Sequence, residues 1–291
     1  GQNTHWVAQQ IARSLGMDKK AVGYCGRKDR HAVTRQWLSI YDPKREVRPE
    51  TISVEGVTIL DDTRHTHKLR PGDHQSNVFT IRLRQVIDHS TQASITSTQG
   101  AVILKVIEER LRQGVPNYFG SQRFGREGNN LKLADDWLVR GQKPPPQQRS
   151  MVMSAARSYL FNSVIAARLQ QGNGLAPITG DVMINDCPTA PLWGRGRLTS
   201  TAATLEIESS TMAHCEQWCH GLEHCGLKQE RRPIVLFPKN ITAVLEGNVE
   251  DGIEGSDLVL GFELESGAFA TSVLAEIATL RQAENEERVE P

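Results

Sequence analysis

Residues 26–36 are the most informative stretch of this chain and read Gly-Arg-Lys-Asp-Arg-His-Ala-Val-Thr-Arg-Gln. One carboxylate, that of Asp29, stands here among four permanently cationic side chains, those of Arg27, Lys28, Arg30 and Arg35. Nearby positive charge favours the ionised form of a carboxylate. Asp29 is therefore available as a nucleophile, while the cations around it can hold an anionic polymer. The stretch predicts covalent chemistry on a nucleic acid.

The residues on either side predict that Asp29 lies on a loop between two strands. Residues 21–24 form a short apolar segment typical of a buried strand. Residues 32–41 are rich in side chains that favour β-structure. A loop between strands can present a reactive side chain on a rigid support.

The rest of the chain shows a mixture of helical and strand periodicity. It predicts helices between Asn3 and Gly16 and at residues 91–112, 151–170 and 270–280, and strands at residues 54–60, 78–83 and 257–264. Within residues 78–83, apolar Phe79, Ile81 and Leu83 alternate with polar side chains, so one face of that strand is apolar and the other basic. Residues 141–148 contain three consecutive prolines and predict a linker or surface loop.

The composition is that of an ordinary soluble protein, with 38% hydrophobic and 23% charged residues in a chain of 291. A chain of this length can bury a sizeable core and divide into two domains. Its apolar runs are too short for a membrane span, and its first residues show no leader peptide, so we expect a cytoplasmic protein that does not bind membranes. Five cysteines at low density argue against a secreted disulfide framework.

The net charge of zero, from 34 basic and 34 acidic residues, is the main objection to an RNA partner. The distribution of charge answers it. Basic residues concentrate at residues 27–35, 68–70 and 123–126, whereas acidic residues gather at residues 246–257 and 284–290. A concentrated basic cleft can bind phosphates even on a neutral protein.

Four motifs in order resemble the tRNA pseudouridine synthase D (TruD) family. Residues 26–36 are similar to the family signature Gly-x-Lys-Asp-x-x-Ala-x-Thr-x-Gln. The other matches are Lys-Leu-Arg at 68–70 with Gly72 and Ser-Asn-Val-Phe at 76–79, Val-Pro-Asn-Tyr-Phe-Gly-Ser-Gln-Arg-Phe-Gly at 115–125, and Ser-Gly-Ala-Phe-Ala-Thr-Ser-Val-Leu at 266–274. One such motif can arise by chance, but four in the same order do not. The resemblance covers nearly the whole chain and is weakest between residues 170 and 240.

The resemblance implies an α+β fold with a pseudouridine-synthase-type sheet that is mixed and largely antiparallel, with flanking helices. It places the catalytic domain at residues 1–114 and 241–291, interrupted by an α/β TRUD insertion domain at residues 115–240. The composition shifts towards Cys, His, Thr and Ser within that insertion. The family also has a further N-terminal segment with a Pro-Glu-Asp-Phe-like motif, which these residues do not include, and we expect truncation or disorder rather than evolutionary loss to account for this.

The resemblance also implies that Asp29 is the catalytic nucleophile of an isomerase that converts uridine to pseudouridine in tRNA, at uridine 13. That reaction breaks the C1′–N1 glycosidic bond and joins C5 to C1′, and a carboxylate beside the sugar can stabilise or trap the electron-poor anomeric carbon. Whether Asp29 attacks C1′ or first removes a 2′ proton stays open. In the simpler alternative, Asp29 is a loop residue that bridges Arg27 or Arg30.

Three residues match family positions that contact the substrate base, namely Asn77, Phe79 and Phe269. An amide offers a donor and an acceptor to the uracil edge, and an aromatic ring can stack on a flipped base. The alternative for Phe79 is a core aromatic beside a turn Asn, and the alternative for Phe269 is a core aromatic at the start of the last helix.

Three cations are candidates for RNA binding, namely Lys28, Arg30 and Arg123. Lys28 and Arg30 can pair with the carboxylate, contact phosphates or simply be solvated. Arg123 belongs to a motif that interleaves aromatic side chains with a cation and flexible glycines, which suits stacking and phosphate contact. A structural role at a domain junction would use similar residues.

A competing signal comes from three Cys/His pairs, at residues 214–215, 219–220 and 224–225. Helical i, i+4 spacing would bring Cys215 near Cys219 and His220 near His224, as in some zinc sites. No Cys-x-x-Cys pair occurs, and the resembling family needs no metal. We therefore expect neither a metal nor a cofactor.

Three functional hypotheses follow. The leading one is a monomeric tRNA pseudouridine synthase that acts by base flipping, with tRNA as its partner and no obligate protein partner. The second is a non-catalytic RNA-binding or chaperone protein that retains the basic cleft. The third is a metal-binding regulatory module built on residues 214–225. Asp29 discriminates the first two hypotheses. A carboxylate in the cleft hinders phosphate binding, so a protein that only binds RNA should bind it more tightly when Asp29 is neutralised.

Overall fold

A computed structural model describes residues 2–29, 32–88, 97–250 and 253–281 and shows an α+β protein. The predicted fold class is confirmed. The chain packs as two units, Gly1–Asn77 and Val78–Pro291. Every pair of strands in the described sheets whose register is resolved runs antiparallel.

The first unit consists of one helix and a two-stranded sheet. Its elements are helix α1 (Thr4–Ser14) and strands β1 (Val22–Tyr24) and β2 (Leu38–Ile40), with 3₁₀ turns at Lys19–Ala21 and Pro49–Thr51. The side chain of Asn3 caps α1 by accepting a hydrogen bond from the backbone N of Trp6, and Gly16 follows the helix in the left-handed conformation. The predicted first helix and its ends are confirmed.

A small core joins α1 to the hairpin-like pair of strands. Ala8, Ile11 and Ala12 on one face of α1 are buried together with Val22 of β1. In the sheet Val22 lies opposite Ile40. The strand predicted at residues 32–41 is therefore real but short, because only its last residues pair with β1.

The prediction of a strand at residues 54–60 is wrong. Gly56 adopts a left-handed conformation with φ of +72°, and the backbone N of Val57 donates to the carbonyl of Val54. This tight turn replaces the extended backbone that a strand needs. The segment contains residues that favour β-structure, but the turn at Gly56 prevents a strand from forming.

Gly23 in β1 provides a test of packing in the first unit. A Cβ at this buried position would overlap the carbonyl oxygen of Leu69, which cannot rotate away as a flexible side chain can. We expect Gly23→Ala to lower the free energy of unfolding by about 1–3 kcal/mol, measured by urea denaturation.

Gly247→Ala is the matched control for this substitution, because Gly247 is an exposed strand glycine and no described atom lies within 4 Å of its added Cβ. Equal midpoints for the two variants would contradict the packing of Gly23 against Leu69.

The second unit contains most of the regular structure. Strand β3 (Ser76–Leu83) leads into it from the first unit. Its other elements are α2 (Ser97–Arg112), β4 (Val115–Pro116), α3 (Asn129–Leu138), α4 (Pro146–Gln170), β5 (Met183–Ile184), β6 (Cys187–Leu192), α5 (Ala202–Ala213), α6 (Glu216–Glu223), β7 (Glu230–Pro233), β8 (Val235–Leu236), β9 (Lys239–Glu250), β10 (Ile253–Glu265) and α7 (Ala270–Ala275), with 3₁₀ turns at Ser121–Phe124 and Arg126–Gly128.

Strands β3, β10 and β9 form a three-stranded sheet with β10 in the middle. The alternation predicted for β3 is confirmed, because Phe79, Ile81 and Leu83 are half-buried and the residues between them are exposed. On the other face, Arg82 pairs with Glu246 of β9 at 2.7 Å and with Asp257 of β10 at 3.1 Å. These ion pairs tie all three strands together across their polar face.

The second unit has two hydrophobic cores. One lies on the apolar face of the sheet, where Leu258, Leu260 and Phe262 of β10 pack with residues of α2 and α7. The other surrounds α4, whose Leu160, Phe161 and Ile165 are fully buried among α3, α5, α6 and β6. The buried residues of this second core run from Phe119 to Ile234.

Several predicted helix boundaries need correction. Helix α4 begins at Pro146, inside the predicted linker, because proline at the first helical position lacks only an N–H that would be unpaired anyway. Helix α7 ends at Ala275, before the predicted residue 280. Helix α2 starts at Ser97, and residues 91–96 lie outside the described part of the chain. Among the described helices, none has the length and apolar content that crossing a bilayer requires.

Candidate functional site

The loop between β1 and β2 carries Asp29, as predicted. The start of α1 holds this loop at two points. The backbone N of Lys28 donates to Oγ1 of Thr4 at 2.9 Å, and Nε2 of Gln36 donates to the same oxygen at 3.1 Å. Thr4 is 2% exposed, so the anchor is buried. The loop is thus fixed on both sides of Asp29, although Arg30 lies outside the described residues.

Asp29 itself is exposed and lies in backbone without regular secondary structure. An exposed carboxylate on an anchored loop can meet a macromolecular substrate without any prior opening of the fold. Its neighbour Lys28 is half-buried, and the ammonium group of Lys28 contacts Asn77.

The structure brings two of the predicted site residues together, Lys28 and Asn77. The Nζ of Lys28 donates to Oδ1 of Asn77 at 2.5 Å, a contact that joins residues 49 positions apart. Nδ2 of Asn77 lies 3.2 Å from Nε2 of His74. Both ends of the Asn77 amide are therefore held, which fixes the orientation of the group. Lys28 was predicted to pair with the Asp29 carboxylate, to contact phosphates or to be solvated. Its observed contact with the Asn77 amide is none of these.

His74 also packs closely against the Asp29 loop. A Cβ at Gly26 would lie 3.2 Å from Cε1 of His74, so the glycine allows the ring to approach the backbone three residues before Asp29. Sequence reasoning did not predict His74 or Thr4 as site residues. Each acts through a contact with residues distant in the chain, and neither carries a local signal.

Phe79 has a packing role in the second unit. Its ring stacks on Phe262 with centroids 5.5 Å apart and an interplanar angle of 30°. The side chain is half-buried against the sheet core. Phe79 matches the core-aromatic alternative in this respect, and its role in stacking on a substrate base stays a prediction.

Arg123 and Phe269 lie together in the second unit, around Phe119. The guanidinium carbon of Arg123 lies 5.3 Å from the ring centre of Phe119 and 5.7 Å from that of Phe269. The two rings are themselves 5.6 Å apart, and Phe269 precedes α7 as its N-terminal capping residue. Arg123 also donates to Oγ of Ser154 at 3.0 Å. Burial lowers the pKa of Arg123.

A second arginine, Arg232, joins this aromatic cluster and was not predicted. Its guanidinium carbon lies 4.4 Å from the ring centre of Phe119. Its Nη2 donates to Oδ1 of Asn117 at 2.6 Å and to the carbonyl of Gly267 at 3.0 Å. Burial, with a smaller contribution from Arg123, lowers the pKa of Arg232 to about 10. Only proximity in the fold identifies it, because it lies in the segment where the motifs are weakest.

The predicted site residues thus fall in two units. Lys28, Asp29 and Asn77 belong to the first, and Phe79, Arg123 and Phe269 belong to the second. Within each unit the structure places two of them in one cluster.

The Cys/His pairs at residues 214–225 do not form a metal-ligand cluster in the structure. Within the described ranges, no group of three or more His, Cys, Asp or Glu side chains is arranged to hold a metal ion. Cys219 is buried with its Sγ 3.7 Å from Sδ of Met212. Burial, with smaller contributions from neighbours including Cys215, raises the pKa of the Cys219 thiol to about 12, so the thiol stays protonated at neutral pH and is a poor ligand.

Comparison with known proteins decides the family. A family model described as tRNA pseudouridine synthase D (TruD) matches residues 1–144. The tRNA pseudouridine synthase D of Cellvibrio japonicus is 42% identical over 96% of this chain and 80% of its own length. That of Aeromonas hydrophila is 39% identical over 98% of this chain and 83% of its own length. The chain belongs to the tRNA pseudouridine synthase D family.

A solved structure supports the fold of this tRNA pseudouridine synthase D family member. The crystal structure of a Methanosarcina mazei protein assigned to tRNA pseudouridine synthase D (TruD) aligns with a TM-score of 0.63. The alignment covers 94% of this chain and 85% of the other at 21% identity. The predicted fold and family are confirmed. The matched region 1–144 contains Asp29, Asn77, Phe79 and Arg123 but ends before Phe269.

Proposed function

We propose that the protein converts uridine 13 of tRNA to pseudouridine and that Asp29 is the nucleophile. As a member of its family the protein is an isomerase, a tRNA pseudouridine synthase. The observation that carries the assignment of Asp29 is its exposed position on a loop that Thr4 anchors at both ends, next to the Lys28–Asn77 contact. The position of the target uridine rests on the family resemblance.

The proposed reaction uses Asp29 at the sugar. The carboxylate stabilises or attacks C1′ as the C1′–N1 bond breaks, the freed uracil turns, and C5 joins C1′, which frees the carboxylate again. The C5 proton leaves to solvent and N1 takes up a proton from solvent. No atom is gained or lost and no group is oxidised or reduced. The proposal accordingly includes neither a metal nor a cofactor.

Asn77, Phe79 and Phe269 are the proposed residues for the base. Flipping a nucleotide out of a stacked helix costs a few kcal/mol, which stacking on an aromatic ring offsets by about 1–3 kcal/mol per base. The fixed amide of Asn77 supports this role, because a pre-oriented group loses little freedom on binding. Lys28, Arg30 and Arg123 are the proposed RNA-binding cations.

The proposal extends to the organisation of the chain. We place the catalytic domain at residues 1–114 and 241–291 and the insertion domain at residues 115–240. The separate core around α4, whose buried residues run from Phe119 to Ile234, supports this division. A monomeric state and a cytoplasmic location complete the proposal.

Pseudouridine mapping on tRNA transcripts tests the proposal. The full chain is incubated with transcripts without added metal, and pseudouridine is located by reverse transcription after carbodiimide treatment. We expect conversion at uridine 13 alone and none in a transcript with cytidine at that position. Conversion at a different uridine would refute the assigned position. Tight binding of tRNA by the folded protein without conversion would favour the RNA-binding alternative.

A further inference from the structure

A cavity of about 390 Å³ opens beside the aromatic cluster in the second unit. One face of α4 forms much of its wall, with Ser150, Met153, Ser154, Arg157 and Ser158 spaced three or four residues apart. Leu192, Leu227, Phe119 and Arg232 complete the lining. The cavity therefore combines an apolar wall, three hydroxyl groups and two guanidinium groups, and none of the described residues that line it is acidic.

Two cations beside this cavity have no balancing carboxylate among the described residues. Arg232 lines it, and Arg123 reaches it through the hydrogen bond to Ser154. Both guanidinium groups lie against the ring of Phe119, and Arg123 contributes to the lowered pKa of Arg232, as expected for two neighbouring positive charges. Within the described residues, no carboxylate lies within ion-pair distance of either group, and their hydrogen bonds go to neutral oxygens.

The hydrogen bonds of the two lining arginines are also incomplete. Nε of Arg232 and Nε of Arg157 are buried and have no hydrogen-bond partner in the described part of the chain. Arg232 otherwise donates to two neutral oxygens, those of Asn117 and Gly267. Buried charges are normally paired, because removing a charge from water without a partner is strongly unfavourable. Arg157 is already balanced by Glu230, whose Oε2 lies 3.0 Å from Nη2 of Arg157. A bound anion would therefore supply the countercharge that Arg232 lacks.

We propose that this cavity binds one nucleotide of the RNA substrate, with its phosphate held by Arg232 and Arg123 and its base against the apolar wall. Guanidinium groups match the geometry of phosphate oxygens, and Ser154 adds a hydroxyl group. The volume falls within the range of about 300–1,000 Å³ typical of small-ligand sites. This inference rests on the proposed function, because that function supplies an RNA as the ligand.

Binding of tRNA by Arg232→Gln tests the proposal. The variant is made in the full chain carrying Asp29→Asn, so that binding is measured without turnover. We expect tRNA affinity to fall about tenfold and the slope of log affinity against log salt to decrease by about 0.7–0.9, the effect of losing one phosphate contact. Arg140→Gln is the matched control, since it removes one positive charge from an exposed surface pair in the same unit.

The outcomes separate a specific site from a general effect of charge. A large loss for Arg232→Gln with a change below about twofold for Arg140→Gln supports the site. Equal losses for the two variants, or an unchanged affinity and slope for Arg232→Gln, would overturn it. If Arg232→Gln fails to fold by circular dichroism, Arg123→Gln is measured in the same way and decides the question.

Small probes distinguish a nucleotide from a free phosphate. We expect uridine 5′-monophosphate to raise the thermal midpoint of the parent protein but not that of Arg232→Gln. Inorganic phosphate that raises the parent midpoint equally would show that the cavity recognises phosphate alone and would overturn the nucleotide assignment. These binding readouts are independent of pseudouridine mapping, so failure of this site and failure of the proposed function are distinguishable.

Discussion

Asp29→Asn is expected to reduce the single-turnover rate of pseudouridine formation by at least about 10³-fold, a loss of about 4 kcal/mol of transition-state stabilisation. The substitution keeps the shape of the side chain and its place on the anchored loop, but an amide cannot act as the nucleophile at C1′. The rate is measured on a tRNA transcript by mapping the product over time.

Affinity for tRNA provides the internal comparison for this variant. Removal of a negative charge from a basic loop should leave tRNA affinity unchanged or slightly tighter, because the carboxylate repels phosphate. Asp62→Asn is the matched control, since Asp62 is another exposed aspartate of the first unit and has no proposed role in the reaction. A near-parent rate for Asp29→Asn, or an equal loss for Asp62→Asn, would refute the assignment of the nucleophile.

Asp181→Asn is expected to lower the free energy of unfolding by about 3–5 kcal/mol, because it leaves the charge of Arg168 buried without its partner. The two side chains are 2% and 3% exposed and form two parallel hydrogen bonds of 2.7 Å. The carboxylate also accepts from the backbone N of Ile178 and from Thr204. The measurement is urea denaturation at neutral pH.

The same pair predicts the direction of a pH effect. Burial alone would raise the pKa of Asp181, but hydrogen bonds from Arg168, Ile178 and Thr204 outweigh it and hold the pKa below the ordinary value of 3.8. The stabilisation is therefore fully present above the ordinary value and is lost as the pH falls through the lowered pKa. We expect the stability difference between the parent and Asp181→Asn to shrink only in that acidic range.

Glu108→Gln is the control for Asp181→Asn. Glu108 pairs with Arg112 on the exposed face of α2, where such i, i+4 pairs contribute about 0.3–0.5 kcal/mol. Similar losses for the two variants, or no acid dependence of the Asp181 contribution, would contradict the buried ion pair.

Local patterns predicted part of the fold. The first helix was predictable because a cap at Asn3 and a left-handed glycine at Gly16 mark its ends directly. Strand β3 was predictable from strict alternation. The segment 54–60 was not, because its composition favours a strand while Gly56 makes a turn. Strand β9 was missed, although Ile241, Ala243 and Leu245 alternate along it, because the predicted domain boundary fell at its start.

The candidate site shows the limit of sequence reasoning more clearly. Motifs predict Asp29, Asn77 and Phe269 as site residues, because each belongs to a motif that resembles the family. The contact between Lys28 and Asn77 joins residues 49 positions apart within the first unit, and no local pattern encodes it. Arg232 was identified as a candidate only from its position over the ring of Phe119 in the structure. Residues that act through tertiary contacts need the structure to be found.

Release of tritium from tRNA labelled at C5 of its uridines tests the central claim most directly, because the C5–H bond must break when C5 joins C1′. The account predicts that the parent protein releases the label of one uridine per tRNA and that Asp29→Asn, bound to the same tRNA, releases none above background. Release by Asp29→Asn at the parent rate, or no release by a folded parent protein that binds tRNA, would contradict it.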